Sequence, residues 1–125
     1  MGNVKIIKAE VCSGDECIKD IAREMSSKKI RRFYVVNDKK ELEGVVTTVD
    51  LIKVIVDNKD STKVKVRDIM TKKIKYIDLD GSVEDALEIM NELKTFVCPV
   101  VDKGKFVGIV SYQDIIQGVV SESRK

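Results

Sequence analysis

The residues able to do chemistry are few and occur twice. Thr47 and Asp50 stand three apart directly after Gly44-Val45-Val46, and Ser111 and Asp114 repeat the spacing after Gly108-Ile109-Val110. A hydroxyl and a carboxylate at that spacing, where a strand opens into a helix, form a capping box for the first turn. The same first turn carries unpaired N–H groups that favour an anion. Capping and ligand binding therefore both stay open at these two junctions. Ser82 and Asp85 show the chain using the pattern where no ligand is expected.

Other chemistry is thinly supplied. The chain has no histidine, so the usual general base near neutral pH and any Ser-His or Cys-His nucleophile are missing. Cys12, Cys17 and Cys98 form no CxxC pair and have no histidine beside them, which argues against a zinc site. Cys17 and Cys98 fall in apolar patterns and read as core residues; a Cys12–Cys17 disulfide is the alternative under oxidising conditions. An enzyme is not expected, since no paired carboxylates compensate. The charge balance, 23 basic against 21 acidic residues, lacks the basic excess of a dedicated nucleic-acid binder. No apolar run approaches the roughly 18 residues of a membrane span, so a cytoplasmic protein is the expectation. The charged fraction of 35%, rich in Lys and Glu, leans towards a thermophile.

The elements that position the two junctions are themselves repeated. IKDIAREM (18–25) aligns with VEDALEIM (83–90), FYVVN (33–37) with CPVVD (98–102), and GVVTTVDLI (44–52) with GIVSYQDII (108–116). In each copy the apolar residues recur at helical spacing, Ile18, Ile21, Ala22 and Met25 in the first, Val83, Ala86, Leu87 and Met90 in the second. Two β-branched runs follow each helix, 33–37 with 43–47 and 97–102 with 106–110, joined by polar turns that read as hairpins. A second helix follows each hairpin, about 48–57 and 112–121, and a short extended segment precedes each first helix, KIIKAEV and IKYID. The predicted fold is α/β, a β-α-β-β-α unit occurring twice: residues 1–57, a polar linker 58–65, and residues 66–125. Units this small bury little surface alone, so the two copies are expected to pack about a pseudo-twofold axis and leave clefts between them.

The run VRDIMTKKIKYIDLDGSVEDALEIM, with CPVVDKGKFVGIVSYQDI after it, resembles a CBS domain from its DIM start to its G-h-h-S/T-x-x-D end. The first copy, from KIIKAEV to GVVTTVDLI, resembles a partner CBS domain, and together they cover roughly residues 5–121. The resemblance implies a stand-alone pair in one disc-like module that often pairs again as a homodimer. It also implies an adenosine-containing ligand, AMP, ADP or ATP foremost, with S-adenosylmethionine or NAD as further members of the class. Asp50 and Asp114 would hold ribose hydroxyls, and Thr47 and Ser111 phosphate. Arg31, Arg32, Lys72, Lys73 and Lys94 are available to neutralise phosphate, or else form a solvated face. Phe96, Val97, Cys98 and Pro99, with Phe33 and Tyr34 in the first copy, could wall an adenine. Tyr34 stands where the second copy has Pro99, a departure from the family pattern that alters the first slot. Tyr112 is open to stacking on a base or to simple exposure.

The leading expectation is thus a non-catalytic regulatory module acting on a separate effector protein or through oligomerisation. Two further readings compete with it. One is a ligand-free interaction module that dimerises through the apolar second helices. The other is a binder of single-stranded nucleic acid through its Lys and Arg, with affinity that falls steeply as salt rises.

Overall fold

The computed structural model describes residues 4–123. In chain order the elements are β1 (Val11–Cys12), α1 (Ile18–Lys28), β2 (Arg32–Val36), β3 (Leu42–Thr47), α2 (Thr48–Val56) and α3 (Val66–Ile69). They continue as β4 (Ile77–Asp78), α4 (Val83–Leu93), β5 (Val97–Asp102), β6 (Lys105–Ser111) and α5 (Tyr112–Ser123). Apart from the one-turn α3, the order is β-α-β-β-α twice, as the repeat predicts. Two three-stranded sheets form, β1-β2-β3 and β4-β5-β6, each with a parallel pair followed by an antiparallel hairpin.

The sheets match residue for residue. Val35 pairs with Gly44 and Val100 with Gly108, and each ladder shifts register one step later, at Val35/Val36 and Val100/Val101. Apolar residues on the inner face of each sheet meet the apolar stripe of its helices. One core holds Ile18, Ile21, Met25, Phe33, Val35, Val46, Leu51, Val54 and Val66. The other holds Ile77, Ala86, Met90, Cys98, Val100, Val110 and Ile115. Both first helices end on a lysine in the left-handed conformation, Lys29 and Lys94, which stops the helix and turns the chain towards the next strand. Ser82 caps α4 by accepting from the Asp85 N–H at 3.1 Å.

The compact units in space do not follow the boundaries drawn from the repeat. One unit runs from Glu10 to Ile74; the other joins residues up to Ala9 with those from Lys75 onward. The reason is hydrogen bonding. Ile7 and Ile109 exchange both backbone bonds, at 2.8 and 2.9 Å, so the segment ahead of the first copy is an extra edge beside β6. Thr71 and Val45 do the same at 2.9 and 3.0 Å, so the segment ahead of the second copy lies beside β3. The KII of the first lead-in segment therefore serves the second copy, and only Val11 and Cys12 form the first copy's own strand. Residues 58–65 are not a free linker either. The Ile18 N–H donates to the Val64 carbonyl and the Lys19 N–H to the Ser61 carbonyl, both at 3.0 Å, and Val64 packs on the first core.

Cys12 and Cys98 are buried, Cys17 is half-buried, and all three are free thiols. Burial pushes the Cys12 thiol up to about 12, with Glu16 and Glu24 adding to it, and pushes Cys98 up to about 11. These are core residues kept protonated and unreactive.

Candidate functional site

In the Glu10–Ile74 unit, β3 passes straight into α2 at Thr47. The Thr47 N–H donates to Asp50 Oδ2 at 2.9 Å, and the Thr47 hydroxyl lies 3.4 Å from the same oxygen. That is the capping box expected from the spacing, and it leaves Asp50 Oδ1 open as an acceptor. Arg32 pairs directly opposite Thr47 across the hairpin, and the Arg31 carbonyl accepts the Thr48 N–H at 3.1 Å. Arg31 is exposed and Arg32 half-buried, and among the described residues neither guanidinium has a hydrogen bond or ion pair. Both cations therefore flank the start of α2, where the free N–H groups also draw negative charge.

Asp50 also lines a pocket of about 200 Å³ with Lys53, Val54, Asp57, Lys59 and Ile69. Lys53 lies one turn along the helix from Asp50, a spacing visible in the sequence. Ile69 arrives from 19 residues downstream through the Thr71–Val45 pairing, and nothing local to Asp50 signals it. Lys73 is exposed and comes two residues after Thr71, whose antiparallel bridge to Val45 heads the chain away from Thr47. The Ile74 N–H then turns back to the Lys72 carbonyl at 3.1 Å, so Lys73 sits in a turn beyond the bridge and is not gathered with Arg31 and Arg32. Lys72 lines a separate pocket of about 440 Å³ with Glu43, Arg67 and Met70.

The other unit repeats the junction with different chemistry. Ser111 ends β6, and its Oγ accepts the Asp114 N–H at 3.1 Å, which leaves the hydroxyl hydrogen free to donate. Among the described residues the half-buried Asp114 carboxylate accepts no hydrogen bond and forms no ion pair. Val97 pairs opposite Ser111, and the Phe96 carbonyl accepts the Tyr112 N–H at 3.0 Å. Phe96 and Tyr112 contact each other, their ring centroids 5.2 Å apart. Pro99 pairs with Ile109 and is buried, so it shapes the strand from inside rather than presenting a surface. Lys94 is an exposed helix terminus on this unit.

The glycines ahead of both junctions have a definite task. A Cβ at Gly44 would lie 2.7 Å from Met70 Sδ and 2.9 Å from the Thr71 carbonyl oxygen. One at Gly108 would lie 2.5 Å from the Ile7 carbonyl oxygen. Both glycines allow close approach of the lead-in backbone. The structure thus gathers Arg31, Arg32, Thr47 and Asp50 at one junction and Val97, Ser111 and Asp114 at the other. Among the described residues no helix is long and apolar enough to cross a membrane, and no acidic or cysteine cluster could hold a metal ion.

The CBS domain family model matches residues 10–57 and 66–121. An uncharacterized protein of Methanocaldococcus jannaschii is 36% identical over 113 residues, covering 88% of this chain and 61% of its own length. The chain spans about three fifths of the length of this relative and of two others. Among solved structures, CBSX2 in complex with AMP is similar with a TM-score of 0.74 and 26% identity, over 92% of this chain and 90% of that one. The cytosolic domain of the Mg2+ channel MgtE in complex with ATP is similar with a TM-score of 0.75 and 27% identity, over 88% of this chain and 44% of that one.

Proposed function

The chain belongs to the CBS domain family, and from that premise we propose that it is a regulatory module binding an adenosine-containing nucleotide and making or breaking no bond. The observation that carries this reading is the twice-built junction, with a hydroxyl at the helix start, a carboxylate three residues on, and acceptor or donor capacity left over after capping. Capping and binding are compatible. Asp50 keeps one carboxylate oxygen for ribose hydroxyls while the other holds the helix start, and Ser111 keeps its O–H for a phosphate oxygen while accepting from Asp114. Arg31 and Arg32 supply positive charge for phosphate at the first junction. The complexes of CBSX2 with AMP and of the MgtE cytosolic domain with ATP support AMP, ADP or ATP as the ligand class. S-adenosylmethionine and NAD offer the same ribose hydroxyls and belong to the same class. Lys73 and Pro99 are assigned no ligand contact, because one runs away from Thr47 and the other is buried. The nucleotide signal passes to an effector protein or through assembly of copies of the chain, in the cytoplasm.

Calorimetric titration with AMP, ATP and S-adenosylmethionine tests the reading on the wild type, Asp50→Ala and Asp114→Ala. Asp50→Asn serves as a control, since its side-chain oxygen still accepts the Thr47 N–H. Micromolar binding of one ligand, lost in at least one alanine variant, is the expected result. Absence of heat from a folded protein with all three ligands overturns it. A second reading, an interaction module without ligand, is favoured by one observation: α2 leaves Val49, Ile52, Ile55 and Val56 exposed along one side. It takes the lead if no ligand binds and the protein is a stable dimer.

A further inference from the structure

The two junctions share backbone geometry but not chemistry. Residues that occupy equivalent places, by register and by hydrogen bond, are Arg31 with Phe96, Arg32 with Val97, and Thr48 with Tyr112. One junction is flanked by two guanidinium groups. The other is flanked by an aromatic pair and a valine. Phe96 is 71% exposed and Tyr112 41%, with rings 5.2 Å apart and tilted by 45°. An aromatic pair this open leaves ring surface in water that a planar, apolar-faced ligand would cover. Beside it the Asp114 carboxylate has no protein donor among the described residues, so both its oxygens are open, whereas Asp50 has one oxygen taken by Thr47 and one open.

We propose that Phe96 and Tyr112 form a stacking platform for the nucleobase at the Ser111–Asp114 junction, making this a nucleoside site, while the Arg31–Arg32 junction selects for phosphate. This deepens the nucleotide-binding reading above and rests on it. Ring surface recognises the face of a base whatever its phosphates, since every base offers a π-face. A carboxylate without a protein donor is matched by a vicinal diol, which brings two donors and no charge. Paired guanidinium groups at a helix start instead reward each added phosphate. The cations around the aromatic junction are lysines, the exposed Lys94 two residues before Phe96 and the exposed Lys5 two residues before Ile7, and without a guanidinium they leave phosphate tolerated there but not required. The first site thus distinguishes phosphorylated from unphosphorylated ligands, and the second does not.

The test uses the whole chain with adenosine and ATP as probes, calorimetry for affinity and proton NMR for the adenine H2 and H8 resonances. The variants are Phe96→Ala, Phe96→Leu, and Arg31→Ala with Arg32→Ala together; all three positions lie outside the cores. Wild type should bind adenosine with upfield shifts of H2 and H8 from the aromatic rings. Phe96→Ala should weaken adenosine about tenfold or more. Phe96→Leu, which keeps apolar bulk without a ring, should fall between and lose most of the upfield shift. The double arginine variant should leave adenosine unchanged and weaken ATP at the other site. Adenosine affinity within twofold of wild type in Phe96→Ala overturns the platform, as does a loss of self-association in that variant with adenosine binding unchanged. ATP binding that depends on Asp50 and the arginines, with no adenosine binding, also overturns the platform while sustaining the nucleotide-binding reading. Absence of binding by either probe to folded wild type overturns both.

Discussion

At Gly108 the backbone takes φ of +149°, and an added Cβ would meet the Ile7 carbonyl oxygen at 2.5 Å and Ile6 Cγ2 at 2.9 Å. Gly104, in the hairpin turn just before it, has φ of +83° but open space around it. The pair separates two costs of a side chain. Gly104→Ala should lower stability by about 1 kcal/mol through backbone conformation alone. Gly108→Ala adds a clash with backbone and should cost about 2–4 kcal/mol, measured by urea unfolding. Equal effects would show that the lead-in segment yields freely and does not need the glycine. Both junction motifs were legible as residues, because a capping box is a local pattern within four consecutive residues. The aromatic pair was only half legible: Phe96 and Tyr112 are 16 residues apart, and the bond that seats them side by side, from the Tyr112 N–H to the Phe96 carbonyl, belongs to the hairpin's closure. The distinction between Lys73 and Ile69 was not legible, since strand direction decides it.

Among the elements, α2 and α5 stand apart from α1 and α4. Each buries a narrow stripe, Leu51 and Val54 in α2 and Ile115 in α5, and leaves a second apolar stripe in water. Equivalent positions are exposed in the two repeats: Ile52 with Ile116, Ile55 with Val119, and Val56 with Val120. Single exposed aliphatics need no explanation, but a face repeated on two helices is the surface that a dimer, as in the second reading proposed above, would use to exclude water. Ile55 is 73% exposed and Val119 58% exposed, so glutamate there leaves the cores intact. Ile55→Glu with Val119→Glu should convert a dimer to a monomer in light scattering while preserving the helical circular dichroism. A wild type that is already monomeric, or a double variant that remains dimeric, would remove these helices as the assembly surface. The apolar spacing in 48–57 and 112–121 indicated both helices and their richness in aliphatics. Which stripe faces inward needed the sheets.

For the whole molecule the informative result is the mismatch between sequence repeats and compact units. Val66 is fully buried in the core of the first unit, and Ile69 and Met70 pack against it, though all three belong to the second repeat. Val4 and Ile6 pack in the same way on the core of the other unit. A fragment of residues 10–74 should therefore be more structured than one of residues 1–65. The first keeps Val66 and the Thr71–Val45 pairing; the second loses both and carries residues 4–9 without their partner strand. Helical circular dichroism and amide exchange on the two fragments decide it, and equal protection would mean that the lead-in segments contribute little. Fragments of this size are marginal, so the difference rather than the absolute stability is the readout.

By itself the sequence determined the order of elements, the doubled β-α-β-β-α unit and the place of each capping box. Those features depend on residues a few positions apart, where helical and strand periodicity act directly. Only the tertiary structure decided where each lead-in segment goes. Ile7 and Thr71 find partners 102 and 26 residues away, and the backbone bonds that join them carry no mark of residue type. The glycines one residue before those partners, Gly44 and Gly108, stand in the sequence inside strands, but a missing side chain states that something approaches without stating what. The contrast between an arginine-flanked and an aromatic-flanked junction has the same origin. Its residues were all present in the sequence, and the hairpins alone brought them to equivalent places.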